Sequence, residues 1–307
     1  MAAAARQISV PDRLRDHVLD QEGERGAAWL SRLPARFTEQ LTRWDLTLER
    51  ICEPGGRLSL VGYVRRDDGS PAVLKAGLVT PETAQESAAL AHWAGRGAVL
   101  LLNSEPAEGL LLLERLYGDI PLLSLAEAKA MLEAVGLLQR LWTPPNAQHP
   151  FGSVAERVGE ECRRLRERRP LAERLDAQPL VDEALETAAE LLASGTERFV
   201  LHGDFHHGNV MAADRAPWLA IDPEPLVGER AYDLAWLAQD RSETLAGTPG
   251  PQAALRRRLH LLSEAVEVDR DRLRGWTLFR SVEAGLASLA AGDRGRGELH
   301  LEFAGWL

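Results

Sequence analysis

The chain has 307 residues, 45% hydrophobic and 27% charged, long enough at roughly 150 residues per domain for two lobes and too apolar for a disordered chain. Its 36 basic and 46 acidic residues leave a net charge of −10, which argues against a nucleic-acid partner, since neutralising phosphates needs a basic face. Cys52 and Cys162 make no disulfide framework, no apolar run approaches the roughly 18 residues of a membrane span, and Met1 to Val10 lacks the layout of a signal peptide; a cytoplasmic globular protein with no membrane partner is expected.

Taken in chain order, Trp29, Leu30, Leu33, Phe37, Leu41 and Trp44 recur near helical spacing and predict a helix over 25–48, broken at Pro34. Pro54-Gly55-Gly56 is a turn, and 58–64 reads as a strand. Arg66 to Ser70 has hairpin-turn chemistry, with a returning strand over 71–76. Thr80-Pro81-Glu82 reads as an N-cap with proline at the first helical position, opening a helix through Glu86, Ala89, Leu90 and Trp93. Short strands follow at 98–102 and 110–116. Beyond Gly118 the pattern changes to long amphipathic helices over 125–142, 154–169 and 180–193, and to helix again from Asp233 onward, with strand-like islands only at 199–201 and 218–221. The fold class is therefore α+β: a small β-rich lobe over 1–117 and a larger, mainly helical lobe over 118–307.

Charge follows this division. Up to Tyr117 there are 14 basic and 16 acidic residues, and from Gly118 onward 22 and 30, so −8 of the −10 lies in the helical lobe, an asymmetry suited to a small cationic partner. Only Lys75 and Lys129 among the 36 basic residues are lysines, and a lysine kept in so arginine-rich a chain calls for a compact ammonium that a guanidinium cannot replace.

The densest polar cluster runs from His202 to Met211 and contains H-x-D-x-x-x-x-N, from His202 through Asp204 to Asn209; Asp222 follows 13 residues later. The segment between Asn209 and Asp222 has hairpin length, which brings these two residues together with Asp204 a loop away. Phosphoryl transfer from ATP needs such a set: a carboxylate to orient the attacking hydroxyl and take its proton, and an amide oxygen with a second carboxylate to hold Mg²⁺. Gly55, Gly56 and Ser59 offer backbone N–H groups and a hydroxyl to phosphates. Lys75 stands on the second strand after that turn, and Glu86, on the next helix, is placed to pair with it; Glu82 competes for that role. His202 reads as a structural loop residue, His206 and His207 as solvated ones, and Asp233 as a helix N-cap.

Three further runs, Ala94-Gly95-Arg96-Gly97-Ala98-Val99 with Leu100-Leu101, Leu111 to Leu116, and Arg215 to Gly228, give the chain a resemblance along nearly its whole length. It resembles the aminoglycoside phosphotransferase family, and within it the streptomycin 6-kinase and hydroxyurea-type kinase subgroup. The resemblance implies a bilobal protein-kinase-like fold with ATP and Mg²⁺. It makes Asp204 the catalytic base, Asn209 and Asp222 the magnesium ligands, Lys75 the phosphate-binding lysine and Glu86 its partner. Glu114 and Leu116, in a hinge near 114–117, would meet adenine through their backbones, and Asp233 would also accept hydrogen bonds from the catalytic-loop backbone. The implied acceptor is streptomycin, with hydroxyurea or another small metabolite as the alternative. Glu224 is then the first candidate, and Asp240 the second, to bind a guanidinium of the acceptor. A zinc hydrolase is the remote alternative, since His202, Asp204, His206 and His207 approach a metallo-hydrolase spacing.

Overall fold

In the computed structural model, which describes residues 8–80 and 83–307, Leu14, Val18, Trp29, Leu33 and Phe37 form the buried face of α1 (Asp12–Arg43). The break expected at Pro34 does not occur: the helix passes through it, and the non-helical residue is Gly23 (φ 51°, ψ −128°). An interior proline costs about 3 kcal/mol. Burying each large apolar side chain returns about 1.5–3 kcal/mol, so Trp29, Leu33 and Phe37 on either side of Pro34 outweigh it. Helix α1 ends earlier than the periodicity suggests. Asp45 turns left-handed (φ 50°), and the chain continues as a strand, β1 (Thr47–Ile51).

The chain divides into two units: residues up to Gly118 together with Ala213–Pro217, and Asp119–Ala212 together with Trp218–Leu307. The expected boundary after Tyr117 did not provide for 213–217 in the first unit. In that unit β1 is followed by β2 (Ser59–Arg65), β3 (Pro71–Gly77), α2 (Thr83–Trp93), β4 (Leu101–Glu105) and β5 (Leu110–Glu114). The strands form one antiparallel sheet in the order β1-β2-β3-β5-β4. Leu60, Val64, Leu74, Ala76, Leu110 and Leu112 share a buried cluster with α1. Strand alternation then puts Lys75, between Leu74 and Ala76, on the opposite face. Thr80 Oγ1 accepts from Thr83 N at 3.2 Å at the start of α2; Pro81 and Glu82, which complete the expected cap, lie outside the described residues.

The second unit takes up the chain within β6 (Tyr117–Pro121). It continues as α3 (Glu127–Leu141), β7 (Gly152–Ser153), α4 (Val154–Glu167), α5 (Arg169–Glu173), α6 (Gln178–Ser194), β8 (Phe199–Leu201), β9 (Val210–Ala212), β10 (Trp218–Ala220) and β11 (Leu226–Gly228). Five helices close it: α7 (Arg230–Gln239), α8 (Ser242–Ala246), α9 (Pro251–Val266), α10 (Arg270–Ala290) and α11 (Arg294–Ala304). Helix α10 is its centre, packing on α6, α7, α9 and α11, with Trp276 and Phe279 fully buried. No helix among the described residues is long and apolar enough to cross a membrane.

Two small sheets, β10-β9-β6 and β7-β11-β8, arrange the polar cluster. Leu201 pairs with Leu226, so the chain leaving β8 runs beside the chain entering β11. Val210 pairs with Ala220, and the ladder extends one step further through Ile221 N, which donates to Asn209 O at 2.9 Å.

Candidate active site

In the first unit Lys75 Nζ donates to both oxygens of Glu86, at 2.7 and 2.8 Å. The two side chains are only 13% and 6% exposed. A buried ion pair adds little net stability against an apolar replacement, so charges placed on this sheet face call for a reason other than folding. Gly55 and Gly56 lie in the connection between β1 and β2, and Ser59 opens β2 with its side chain largely buried. Glu114 closes β5; its backbone N–H goes to Leu100 O (2.9 Å), while Leu116 O accepts from Gly118 N (3.1 Å).

In the second unit the loop after β8 is tied from below. Asp233, fully buried, accepts from His202 N and Gly203 N at 2.9 Å each and from Trp142 Nε1 at 3.0 Å. A carboxylate, with acceptor capacity on two oxygens, is the side chain that can take three N–H donors. Asp233 lies in the first turn of α7 but is not its N-cap; that position belongs to Glu229. The buried His202 ring packs edge-on against Phe205 at 5.4 Å. Its Nδ1 accepts from Asp204 N (3.4 Å), so Nε2 carries the proton and donates to Ile221 O (3.0 Å). Burial lowers the pKa of His202 and keeps the ring neutral.

Asn209 spends its amide group on Asp204: Nδ2 donates to the backbone oxygen and to Oδ2, both at 3.0 Å. This orients the Asp204 carboxylate, which remains 28% exposed, and turns Asn209 Oδ1 away from it. His206 Nε2 stands 3.8 Å from Asp204 Oδ2, with Nδ1 accepting from Gly208 N. His207 is not solvated as expected but fully buried. Its backbone N and ring Nδ1 meet Asp240 Oδ2 at 2.7 and 2.5 Å.

Asp240, considered from the sequence as a ligand for a cationic acceptor, thus anchors the loop from the end of α7. Burial alone would raise its pKa, but the hydrogen bonds from His207 hold it down at about 2. Because the folded value is depressed from 3.8, the stabilisation is present above pH 4 and is lost as pH falls toward 2. Asp240→Asn should therefore cost about 2 kcal/mol in denaturant unfolding at pH 7, a difference that shrinks between pH 4 and pH 2. A variant as stable as the parent at pH 7 would remove the anchor.

Beyond β10, Asp222 adopts φ 54°, although the following Pro223 disfavours helical conformations at that position. The chain is clamped on both sides, by Ile221 N on Asn209 O and by Glu224 N on His202 O, each 2.9 Å. Strain of this kind is retained where the surroundings over-determine it, typically at a functional position. Glu224 is already committed: its Oε2 accepts from Arg157 Nη1 at 3.0 Å. Gly203, which in the sequence stands out only as a departure from the subgroup pattern, has φ 79°, and a Cβ there would lie 1.9 Å from Glu224 O. Only glycine fits.

Residues 43–292 match the family model of the aminoglycoside/hydroxyurea antibiotic resistance kinases. The chain belongs to this family. The kinase is 37% identical to the streptomycin 6-kinase of Streptomyces glaucescens, over 95% of this chain and 94% of that one. It is likewise 37% identical to the hydroxyurea phosphotransferase of Kitasatospora aureofaciens, over 93% of this chain and 82% of that one. Its fold is that of the aminoglycoside phosphotransferase APH(4)-Ia in ternary complex with ADP and hygromycin B, at 15% identity and TM-score 0.58, covering 87% of this chain and 96% of that one. The zinc-hydrolase alternative fails on geometry. Both ring nitrogens of His202 are engaged, Nδ1 by Asp204 N and Nε2 by Ile221 O, and no group of three or more His, Cys, Asp or Glu among the described residues is arranged to hold a metal.

A magnesium ion is a different demand, met by few protein ligands and several waters. The donor set fits it: Asn209 presents the oxygen end of an amide whose nitrogen is spent on Asp204, and Asp222 adds a carboxylate at the far end of the same hairpin. For Lys75 the bidentate contact with Glu86 implies that Lys75→Arg does not restore function, because a planar fork cannot occupy the place of an ammonium. In steady-state kinetics the variant should lose about tenfold or more in kcat/KM for ATP, the scale of one charged hydrogen bond. Parental kinetics would reduce Lys75 to a structural residue.

Proposed function

We propose that this kinase transfers the γ-phosphoryl group of ATP to a hydroxyl of streptomycin, on the streptidine ring, and so confers resistance to it. The observation that carries the choice of acceptor is the 37% identity, over 95% of the chain, to a streptomycin 6-kinase. Asp204 accepts the proton of the attacking hydroxyl as the new O–P bond forms and the bond to the β-phosphate oxygen breaks, with ADP leaving. Lys75, held by Glu86, donates to phosphate oxygens, and Gly55, Gly56 and Ser59 supply further donors. The backbones of Glu114 and Leu116 meet adenine through the groups not used in their bonds to Leu100 and Gly118. Asn209 and Asp222 hold Mg²⁺, which when bound neutralises charge developing on the phosphates.

A cationic acceptor accords with the excess of acid in the residues from Gly118 onward. Glu224 can serve a substrate guanidinium only by exchanging Arg157 for it, one guanidinium for another. Hydroxyurea is the second candidate: the Kitasatospora enzyme is equally identical but is covered over 82% of its length, against 94% for the streptomycin kinase. A screen of ATP consumption over streptomycin, other aminoglycosides, hydroxyurea and small amino alcohols decides between them. Turnover with streptomycin is expected; turnover with hydroxyurea or a neutral alcohol and none with streptomycin would overturn the acceptor.

A further inference from the structure

The three runs that carry the subgroup resemblance meet at a single guanidinium, that of Arg215. Arg215 stands in the turn between β9 and β10, and this turn belongs with the residues up to Gly118. Its Nε donates to both oxygens of Glu114 at 3.3 Å, and its Nη2 donates to Glu114 Oε2 at 2.8 Å and to Ala98 O at 3.0 Å. Its Nη1 donates to Gly95 O at 2.6 Å. Glu114 Oε2 also accepts from Leu100 N at 2.7 Å. One carboxylate therefore joins the loop after α2, the end of β5 and the hairpin turn.

The socket is shaped for this. Ala94, Gly95 and Gly97 all have positive φ, at 48°, 79° and 76°, and the loop they form turns the Gly95 and Ala98 carbonyls onto the guanidinium. A Cβ on residue 95 would stand 3.3 Å from the guanidinium carbon and from both of its terminal nitrogens. Tyr117 adds a second tie, its hydroxyl donating to Asp214 Oδ1 in the same turn. An ordinary surface ion pair is worth little and needs no such backbone. Here a planar fork is matched by a carboxylate and two carbonyls, an arrangement that no ammonium reproduces.

We propose that Arg215 is a positioning residue of the kinase: by tying Glu114 to the Gly95 and Ala98 carbonyls, it sets the placement of the Glu114 to Leu116 segment. The claim rests on the adenine role proposed above for that segment.

The test compares Arg215→Ala and Arg215→Lys with the parent in KM for ATP, KM for the acceptor, and thermal stability. Both variants should raise the ATP KM by about 10- to 100-fold, the scale of a misplaced catalytic group, and leave the acceptor KM unchanged, a split that a merely structural role would not give. Guanidinium chloride at non-denaturing concentration should partly restore ATP affinity in Arg215→Ala but not in Arg215→Lys, because only the emptied socket admits the ion. A parental ATP KM in either variant would overturn the proposal. So would a loss in Arg215→Ala that guanidinium does not relieve. Should Arg215→Ala fail to fold, Arg215→Lys carries the comparison. Leu116→Pro, which removes the backbone N–H at that position, keeps the two levels apart: a parental ATP KM there beside a raised one in the Arg215 variants refutes the adenine role of the segment while leaving Arg215 a positioning residue for ATP.

Discussion

Asp204→Asn should fold and bind nucleotide like the parent while turning over roughly 10²- to 10⁴-fold more slowly, the usual loss when general-base assistance is removed. The substitution is nearly isosteric, and an asparagine carbonyl can still accept the hydrogen bond that Asn209 Nδ2 now gives to Asp204 Oδ2. The backbone bonds that hold the loop, from Asp204 N to His202 Nδ1 and from Asn209 Nδ2 to Asp204 O, do not involve the carboxylate at all. What disappears is the group able to take a proton from the attacking hydroxyl. The comparison is made under saturating ATP and the acceptor found in the screen, with thermal melting as the control for folding. Near-parental turnover would mean that Asp204 only shapes the loop.

That Asp204 could be singled out from the sequence follows from how local its chemistry is. H-x-D-x-x-x-x-N places three side chains on one short loop, and hairpin length alone returns Asp222 to Asn209, as the Val210 to Ala220 register has it. Lys75 and Glu86 were legible for a similar reason, since strand alternation and one helix decide their meeting. What the sequence concealed depends on contacts distant along the chain. Gly203 is required by the Glu224 carbonyl, 21 residues away, and Asp240 reaches back 33 residues to His207. Neither approach leaves a periodicity to read.

The misassigned elements have the same origin. Strand β1 was hidden by helical spacing running into Leu48, because the left-handed residue that ends α1, Asp45, has no signature of its own. Proline at position 34 misled in the other direction: its local cost is real, but tertiary burial decides. Asp233 looks like a cap because an acid at a helix start usually is one. The cap reading fails, while the role that the family resemblance implies, accepting from the catalytic-loop backbone, is the one His202 N and Gly203 N display.

Asp222 is where geometry and chemistry have to be separated experimentally. Asp222→Ala should abolish Mg²⁺-dependent nucleotide binding, but the same change also removes a residue type that tolerates φ 54°. A left-handed conformation costs an ordinary residue about 1–2 kcal/mol, and asparagine and aspartate offset part of it through local hydrogen bonds. Alanine should therefore lower stability by about 1 kcal/mol beyond any effect on the metal. Asp222→Asn keeps the conformational tolerance and removes only the charge. It should melt with the parent yet lose the Mg²⁺ dependence of ATP binding in calorimetric titrations, since a neutral amide is a far weaker ligand for a hard cation than a carboxylate. If Asp222→Asn binds ATP with the parental response to Mg²⁺ while Asp222→Ala does not, the residue serves the backbone turn before Pro223 and the second metal ligand must be sought elsewhere.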